Sequence, residues 1–407
     1  MPLAVQDLAP LLLVLGFGCA ARSNHWLRGV TYRAAPLSLS QDKVAKACFY
    51  LAVLGLLDVV LRRGLSALRP KLPVVLRVLL LCAPAAGWLS LGPLHPATST
   101  RDDSGFRESA QRWRLWDLMC RYMFGGRCQI VLSEEWRSLS PAQVKRWTED
   151  HTKPYVIPMH PHGLLPLGGI INGLTWYGGS MRGITASGAE DVPKPAAPGT
   201  GLHQAFFPHM RLRAAVASGV FWVPGFFEMY SKLGCIECTK PFMRDLLRRG
   251  RSVAVYPGGA AESRFARPGR YVCYVKRRKG FVRLALEERV DLLPLYTFGD
   301  EAIAPQAAWK DEDPDSAILP VQRVLKEVFG LLLPPLPAGL PRFDPLTTVV
   351  GLPVSFEDLW PAEADGEITE EMVDKAHERY MQAQKRTFDQ NKALVPGGHA
   401  DAEIEFL

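Results

Sequence analysis

The sequence has no long run of one charge sign, no histidine pair at helical i,i+4 spacing, and no second C-x-x-C to accompany Cys235-Ile-Glu-Cys238. Without a basic or acidic tail, a disordered arm that binds nucleic acid is excluded, although Lys and Arg give a formal net charge of +7. Without a second pair at zinc-ribbon spacing, the C-x-x-C has little to support a metal or redox role. The eight scattered cysteines are read as reduced thiols facing the cytosol. Internal repeats and low-complexity tracts are also missing. The first apolar stretch, residues 8–21, lacks both a basic lead and a small-residue cleavage site, so no removable signal peptide is expected.

What is present is unevenly spread. A chain of 407 residues, 48% hydrophobic, suggests one large domain with appendages or two domains. Three apolar segments crowd the first hundred residues: 8–21, 44–61 with Lys46 and Asp58, and 72–94 with Arg77 as its single interior charge. Crossing the hydrocarbon takes roughly 20 apolar residues, so the third segment is long enough and the second is marginal. Arg62, Arg63, Arg69 and Lys71 lie between these two and would face the cytoplasm if both span. A hairpin that never fully crosses would instead leave both tails on one side. A mildly basic membrane protein favours anionic lipid surfaces or phosphorylated substrates.

Residues 96–112 are polar and read as a linker. Trp113, Trp116, Met119, Met123 and Phe124 recur at helical spacing, a helix laid against membrane or core. Ser140, Pro141 and Gln143 predict a capped helix running to about residue 150. Tyr155-Val-Ile suits a buried strand, with Pro158 and the Pro161/Gly163 pair ending regular structure. The apolar, glycine-rich residues 164–173 follow as a closely packed helix. Residues 193–201 are loop, and Phe206, Phe207, Phe221, Trp222, Phe226 and Phe227 line either an apolar substrate channel or a core. Residues 244–251 form a helix with Leu246 and Leu247 among basic residues, and Ser252-Val-Ala-Val-Tyr256 and Tyr271-Val-Cys-Tyr-Val275 are strands. Val290-Asp-Leu-Leu-Pro-Leu-Tyr296 and Thr347-Thr-Val-Val350 are further strands, and residues 321–333 an amphipathic helix. Thr369 caps a last helix through about residue 392, and a mobile acidic tail fills 396–407. Strands alternating with helices make residues 113–395 an α/β domain attached to a membrane-embedded region, residues 1–95.

Three turns carry candidate chemistry. His160-Pro-His-Gly163 places two imidazoles at the carboxyl end of a strand, where open α/β sheets hold their sites. Neutral imidazole can take a proton near pH 7, and Gly163 permits positive φ or close substrate approach. Spacing alone leaves three readings open: acid–base catalysis, a structural role, or part of a zinc ligand set with His151, His203 or His209. The second turn, Pro257-Gly-Gly-Ala-Ala-Glu-Ser263, frees amides at Gly258 and Gly259 to face an oxyanion or phosphate, with Glu262 placed to orient an imidazole or bind an acceptor hydroxyl. The plain alternative is a glycine turn with a capping glutamate. Lys276-Arg-Arg-Lys279 and Gly280 sit at a strand-to-helix turn, a clamp for the phosphates of a nucleotide or of coenzyme A, or else a solvated charge cluster.

In order, His160-Pro-His-Gly163, Gly258-Gly-Ala-Ala-Glu-Ser263, Arg278-Lys-Gly-Phe281, Tyr296-Thr-Phe-Gly299 and Thr347-Thr-Val-Val-Gly-Leu-Pro353 resemble the type 2 diacylglycerol acyltransferase family over roughly residues 110–395. That family includes monoacylglycerol and wax-alcohol acyltransferases. The resemblance implies an acyltransferase-like mixed sheet flanked by helices, an N-terminal membrane hairpin, and an endoplasmic-reticulum enzyme whose active site faces the cytosol, also compatible with the lipid-droplet surface and with a homo-oligomer. It implies transfer of a fatty acyl group from acyl-CoA, with no cofactor and no metal, to diacylglycerol, forming triacylglycerol, or to monoacylglycerol or a long-chain alcohol. His162 becomes the base; His160 and Glu262 orient it, bind the acceptor or complete the pocket; Pro161, Gly163, Gly258, Gly259, Glu228, Arg278, Lys279 and Gly280 contact substrates. Two departures stand out. Family members commonly carry an arginine where Phe227 stands, before Glu228, and His162 is followed five positions on by Leu167, so the His-Asp dyad of the other large glycerolipid acyltransferase family has no local counterpart. A membrane lipid-binding protein with an inactive site is the reading from a different class.

Overall fold

Burial on both faces explains why the strand leading to the histidines is apolar from end to end. In the computed structural model all six residues of Tyr155–His160 are buried, as expected of a central strand in a parallel sheet. The structure describes residues 103–176, 180–182, 201–202, 207, 209–217, 226–303, 343–361, 366–394 and 401–407. Those within 101–218, 229–316 and 334–407 make one compact unit and hold every strand. The apolar segments at 8–94, the first part of the linker (96–102) and the stretch 321–333 lie outside the described residues, among which no helix is long and apolar enough to cross a membrane.

The strands are β1 Cys128–Leu132, β2 Tyr155–His160, β3 Ser180–Arg182, β4 Arg213–Val216, β5 Ile236–Glu237, β6 Val253–Val255, β7 Tyr271–Cys273, β8 Asp291–Leu292, β9 Leu295–Phe298, β10 Leu346–Val350 and β11 Ile404–Phe406. Nine build one sheet in the order β3-β1-β10-β9-β2-β6-β4-β5, with β8 also beside β2. Pairing is parallel except between β9 and β10. The helices that cover it include α1 Pro141–Thr148, α2 Lys240–Arg248, α3 Gly259–Ser263, α4 Gly280–Glu287 and α5 Glu370–Asp389. Phe281, Leu284 and Leu286 of α4 join Val373, Tyr380 and Phe388 of α5 over Val255, Tyr296 and Phe298 in one core cluster. Burying each such side chain contributes about 2 kcal/mol. A second cluster gathers Cys120, Phe124, Ile171 and Leu346.

Local signals account for several of these elements. Ser140 and Gln143 cap α1 reciprocally, and the Thr369 side chain accepts from the Met372 amide at the start of α5. Those helices stop at Thr148 and Asp389, short of the expected ends. The aromatic segment after Trp113 is helical, Arg114–Leu118 and then a wider turn Met119–Met123, with Trp116, Cys120 and Phe124 inward. Residues 164–173 end in another wide helical turn, Gly169–Leu174, wholly buried. In α2, Leu246 and Leu247 are buried while Arg244 and Arg248 reach Glu287 and Glu288.

Three expectations need correction. Pro158 does not end the strand: β2 continues to His160 because the partner on one side breaks at Leu293-Pro294, between β8 and β9, where no ladder bond demands the missing N–H. For the same reason residues 290–296 form two short strands. The end of the chain, expected to be a mobile tail, forms β11 parallel to β7, with the Leu407 amide donating to Cys273 O at 3.0 Å and the Lys276 amide to Leu407 O at 2.8 Å. Ile404 and Phe406 pack on the core cluster, which outweighs the acidic residues around them. Of the two readings of the aromatic stretch, Phe207 follows the core one: it packs edge-on to Trp136 and Tyr155, while the side chains of Phe206, Phe221, Trp222, Phe226 and Phe227 lie outside the described residues.

Candidate active site

β2, β6, β7 and β9 release the chain at the carboxyl edge of their strands, and the turns that leave them converge. His160 is the last residue of β2 and is 1% exposed. The His160–Pro161 bond is cis, and Pro161 is buried. Gly163 has φ 56°, and a Cβ there would lie 2.7 Å from Asp300 O, so both backbone freedom and space require glycine.

Glu262, on α3, is the hub of the site. Its carboxylate accepts from His160 Nδ1 at 2.9 and 3.1 Å, from the His162 amide at 2.6 Å and from the Tyr274 amide at 2.7 Å. A carboxylate that is 2% exposed is tolerated because N–H donors from three residues surround it. Gly258 makes this fold-back possible, since a Cβ there would collide with the Glu262 side chain at 2.2 Å. The other ring nitrogen of His160 lies 2.9 Å from the Tyr380 hydroxyl. Because a carboxylate only accepts, His160 Nδ1 carries a hydrogen, and in the neutral ring Nε2 accepts from the Tyr380 O–H. Both nitrogens of His160 are thereby occupied.

His162 is placed differently. It is only partly buried, and its Nδ1 lies 2.8 Å from Gly163 O. A carbonyl cannot donate, so Nδ1 holds the hydrogen and Nε2 presents a lone pair. The Tyr256 ring meets the imidazole edge-on with centroids 5.0 Å apart. Desolvation lowers the His162 pKa below its ordinary 6.5, so the imidazole is neutral at pH 7. For activity through His162 the sign follows: protonation removes the base, so kcat/KM is expected to fall toward acid pH with the midpoint of that acid limb below 6.5. An acid limb centred above 6.5 in a pH–rate profile would count against this assignment.

The remaining sequence candidates separate. The Gly259 amide donates to Tyr256 O at 3.0 Å, so it is spent inside the turn and does not face an oxyanion as the sequence suggested. Arg278 is exposed, with its guanidinium 5.6 Å from the Tyr274 ring centre. Lys279 pairs with Asp374 at 2.5 Å, and Gly280 opens α4. Their turn begins just past Tyr274, whose amide binds Glu262, so the basic cluster and the imidazole site share one stretch of backbone. The Glu228 side chain lies outside the described residues. Among the described residues no group of three or more histidine, cysteine or acidic side chains could hold a metal; His151 stacks on Tyr155 at 4.1 Å and His209 is exposed, while His203 is not described.

Sequence reasoning missed three neighbours. Tyr380 is 220 positions from His160 and announces itself only as part of the apolar face of α5. Tyr256 was legible only as the end of a strand. Asp300 is fully buried, accepts from the Gly168 amide at 2.9 Å, and is pushed well above the carboxylate range by burial; nothing in Phe298-Gly-Asp300 signals that.

The family model described as diacylglycerol acyltransferase matches residues 194–404, just over half of the chain. That span takes in Glu262, the basic turn and Tyr380, and begins after the histidine turn. The chain is 30% identical over 252 residues to mouse diacylglycerol O-acyltransferase 2-like protein 6, covering 59% of this chain and 66% of that one. It is 29% identical over 266 residues to zebrafish (Danio rerio) diacylglycerol O-acyltransferase 2, covering 62% and 65%. To human 2-acylglycerol O-acyltransferase 1 it is 26% identical over 261 residues, covering 61% and 68%. The first two matches span just under two thirds of the relatives' length.

Proposed function

The chain belongs to the diacylglycerol acyltransferase family, and from that premise we propose that it transfers a fatty acyl group from acyl-CoA to the hydroxyl of a lipid alcohol, with diacylglycerol as the first acceptor and triacylglycerol as product. The observation that carries this reading is His162, whose Nδ1 is held by Gly163 O and whose Nε2 is left with a lone pair beside the turns of β2 and β6. An alcohol has a pKa far above neutral and needs a base as it attacks a thioester. The acceptor O–H proton passes to His162 Nε2 while the oxygen bonds to the thioester carbonyl carbon. The tetrahedral intermediate then breaks its C–S bond, and the departing coenzyme A thiolate takes the proton back from Nε2. No acyl-enzyme is needed. Burial holds the thiols of Cys235 and Cys273 above their ordinary range, which suits neither to nucleophilic attack.

The exposed Arg278, with Lys279 at the mouth of α4, supplies positive charge for the coenzyme A phosphates. Acyl-CoA is a co-substrate and the chemistry requires no cofactor. The reading places the enzyme at the endoplasmic reticulum membrane with this edge of the sheet toward the cytosol, anchored by residues 1–95 and able to reach a lipid-droplet surface. Monoacylglycerol is the second acceptor, favoured by the likeness to 2-acylglycerol O-acyltransferase 1. The deciding experiment offers labelled oleoyl-CoA to membranes carrying the chain, with diacylglycerol, monoacylglycerol or hexadecanol. Label in triacylglycerol from added diacylglycerol is the expected result; label confined to diacylglycerol or to wax ester reassigns the acceptor, and no ester from any alcohol leaves a lipid-binding protein.

A further inference from the structure

We propose that Tyr380 is a positioning residue for this transfer, acting through His160 and Glu262 on the backbone of the catalytic His162; the inference rests on the acyltransferase reading. Its hydroxyl donates to His160 Nε2 at 2.9 Å. The opposite nitrogen of the same ring is bound by Glu262, which also receives the His162 amide at 2.6 Å. The connection therefore runs from a tyrosine on α5, through an imidazole with no free nitrogen, into the carboxylate that fixes the base. His160 and Tyr380 are 1% and 0% exposed, so water cannot substitute for either partner. Burial drives the Tyr380 pKa well above 10, so the hydroxyl keeps its proton and donates throughout the working pH range.

The ring of Tyr380 has its own packing reason, edge-on to Phe281 with centroids 4.9 Å apart. The hydroxyl is the part that packing does not explain. Removing only that oxygen leaves His160 Nε2 as a bare acceptor in a dry site. The ring can escape by binding a second proton, giving an imidazolium against Glu262, or by turning. Either change shifts the carboxylate that His162 and Tyr274 also use. The same helix touches the basic turn twice more, through His377 to Val275 O at 3.0 Å and Asp374 to Lys279. One helix face thus ties the anion-binding turn to the acid–base centre.

The test uses the full chain in membranes. Tyr380→Phe is expected to lower kcat about tenfold, the scale of one buried hydrogen bond, with KM for acyl-CoA and for the acceptor unchanged. In a His160→Ala background the same substitution should have no further effect, because its route has been removed. Wild-type kcat in Tyr380→Phe, or an effect that multiplies in the His160→Ala background, overturns the proposal. A readout independent of activity is nitrogen NMR of histidine-labelled protein in detergent: His160 should show protonated Nδ1 and bare Nε2 in the wild type and a changed pattern in Tyr380→Phe. An unchanged pattern also overturns it. Should the wild type make no ester from any alcohol, the acyltransferase reading fails, while the NMR comparison still decides whether Tyr380 sets His160.

Discussion

His162→Ala should abolish acyl transfer while leaving the fold intact. The imidazole is only partly buried, and its polar contact is a short-range bond to Gly163 O next to it in the chain. Truncation thus strands no distant partner and should cost at most about 1 kcal/mol of stability. The loss in rate is another matter, because among the described residues no other imidazole at this turn is left open. His160 is saturated by Glu262 and Tyr380, and His151 stacks on Tyr155, at the opposite end of β2 from the turn. Loss of a general base costs on the order of 10² to 10⁴ in kcat. The measurement is turnover of labelled oleoyl-CoA beside a thermal unfolding curve on the same membranes. Product formed at the wild-type rate would remove His162 from the chemistry, whereas lost turnover accompanied by a large fall in melting temperature would make its role structural.

How much of this could be read from the chain depends on how local each cause is. The capped starts of α1 and α5 were legible because Ser140 with Gln143, and Thr369, act within three residues of themselves. The strand before the histidines was legible from its branched apolar residues, and the Glu262 turn from its paired glycines, although the Gly259 amide is spent inside the turn and Gly258 also makes room for the glutamate. What escaped is set by contacts between distant positions. The course of β2 through Pro158 depends on a break in a neighbouring strand more than a hundred residues away. β11 forms because β7 has an open edge and Ile404 and Phe406 find the core, which outweighs an acidic composition typical of disorder. Tyr380 is set in an apolar stripe like any other, and only the fold makes it a partner of His160. The two histidines look equivalent in sequence; their division into a saturated ring and an open one exists only in three dimensions.

Glu262 should be the substitution that damages stability and activity together. In Glu262→Ala the His160 Nδ1–H, the His162 amide and the Tyr274 amide all lose their acceptor. A buried donor left unpaired costs about 1 to 3 kcal/mol, and the three share one site, so roughly 3 to 5 kcal/mol in total is expected rather than the full sum. Glu262→Gln keeps the shape and one acceptor oxygen but turns an amide NH₂ toward an N–H donor, so a smaller loss of about 1 to 3 kcal/mol follows. Both variants should lose most of their turnover, because the backbone of His162 is no longer pinned. The ordering separates this role from that of His162: unfolding midpoints should fall from wild type to Gln to Ala at position 262, while His162→Ala unfolds with the wild type. If Glu262→Ala unfolds at the wild-type temperature, the carboxylate is not the hub, and the hydrogen bonds that converge on it carry no stability. If Glu262→Gln keeps full turnover, the negative charge is unnecessary and the pinning of His162 needs only one acceptor oxygen.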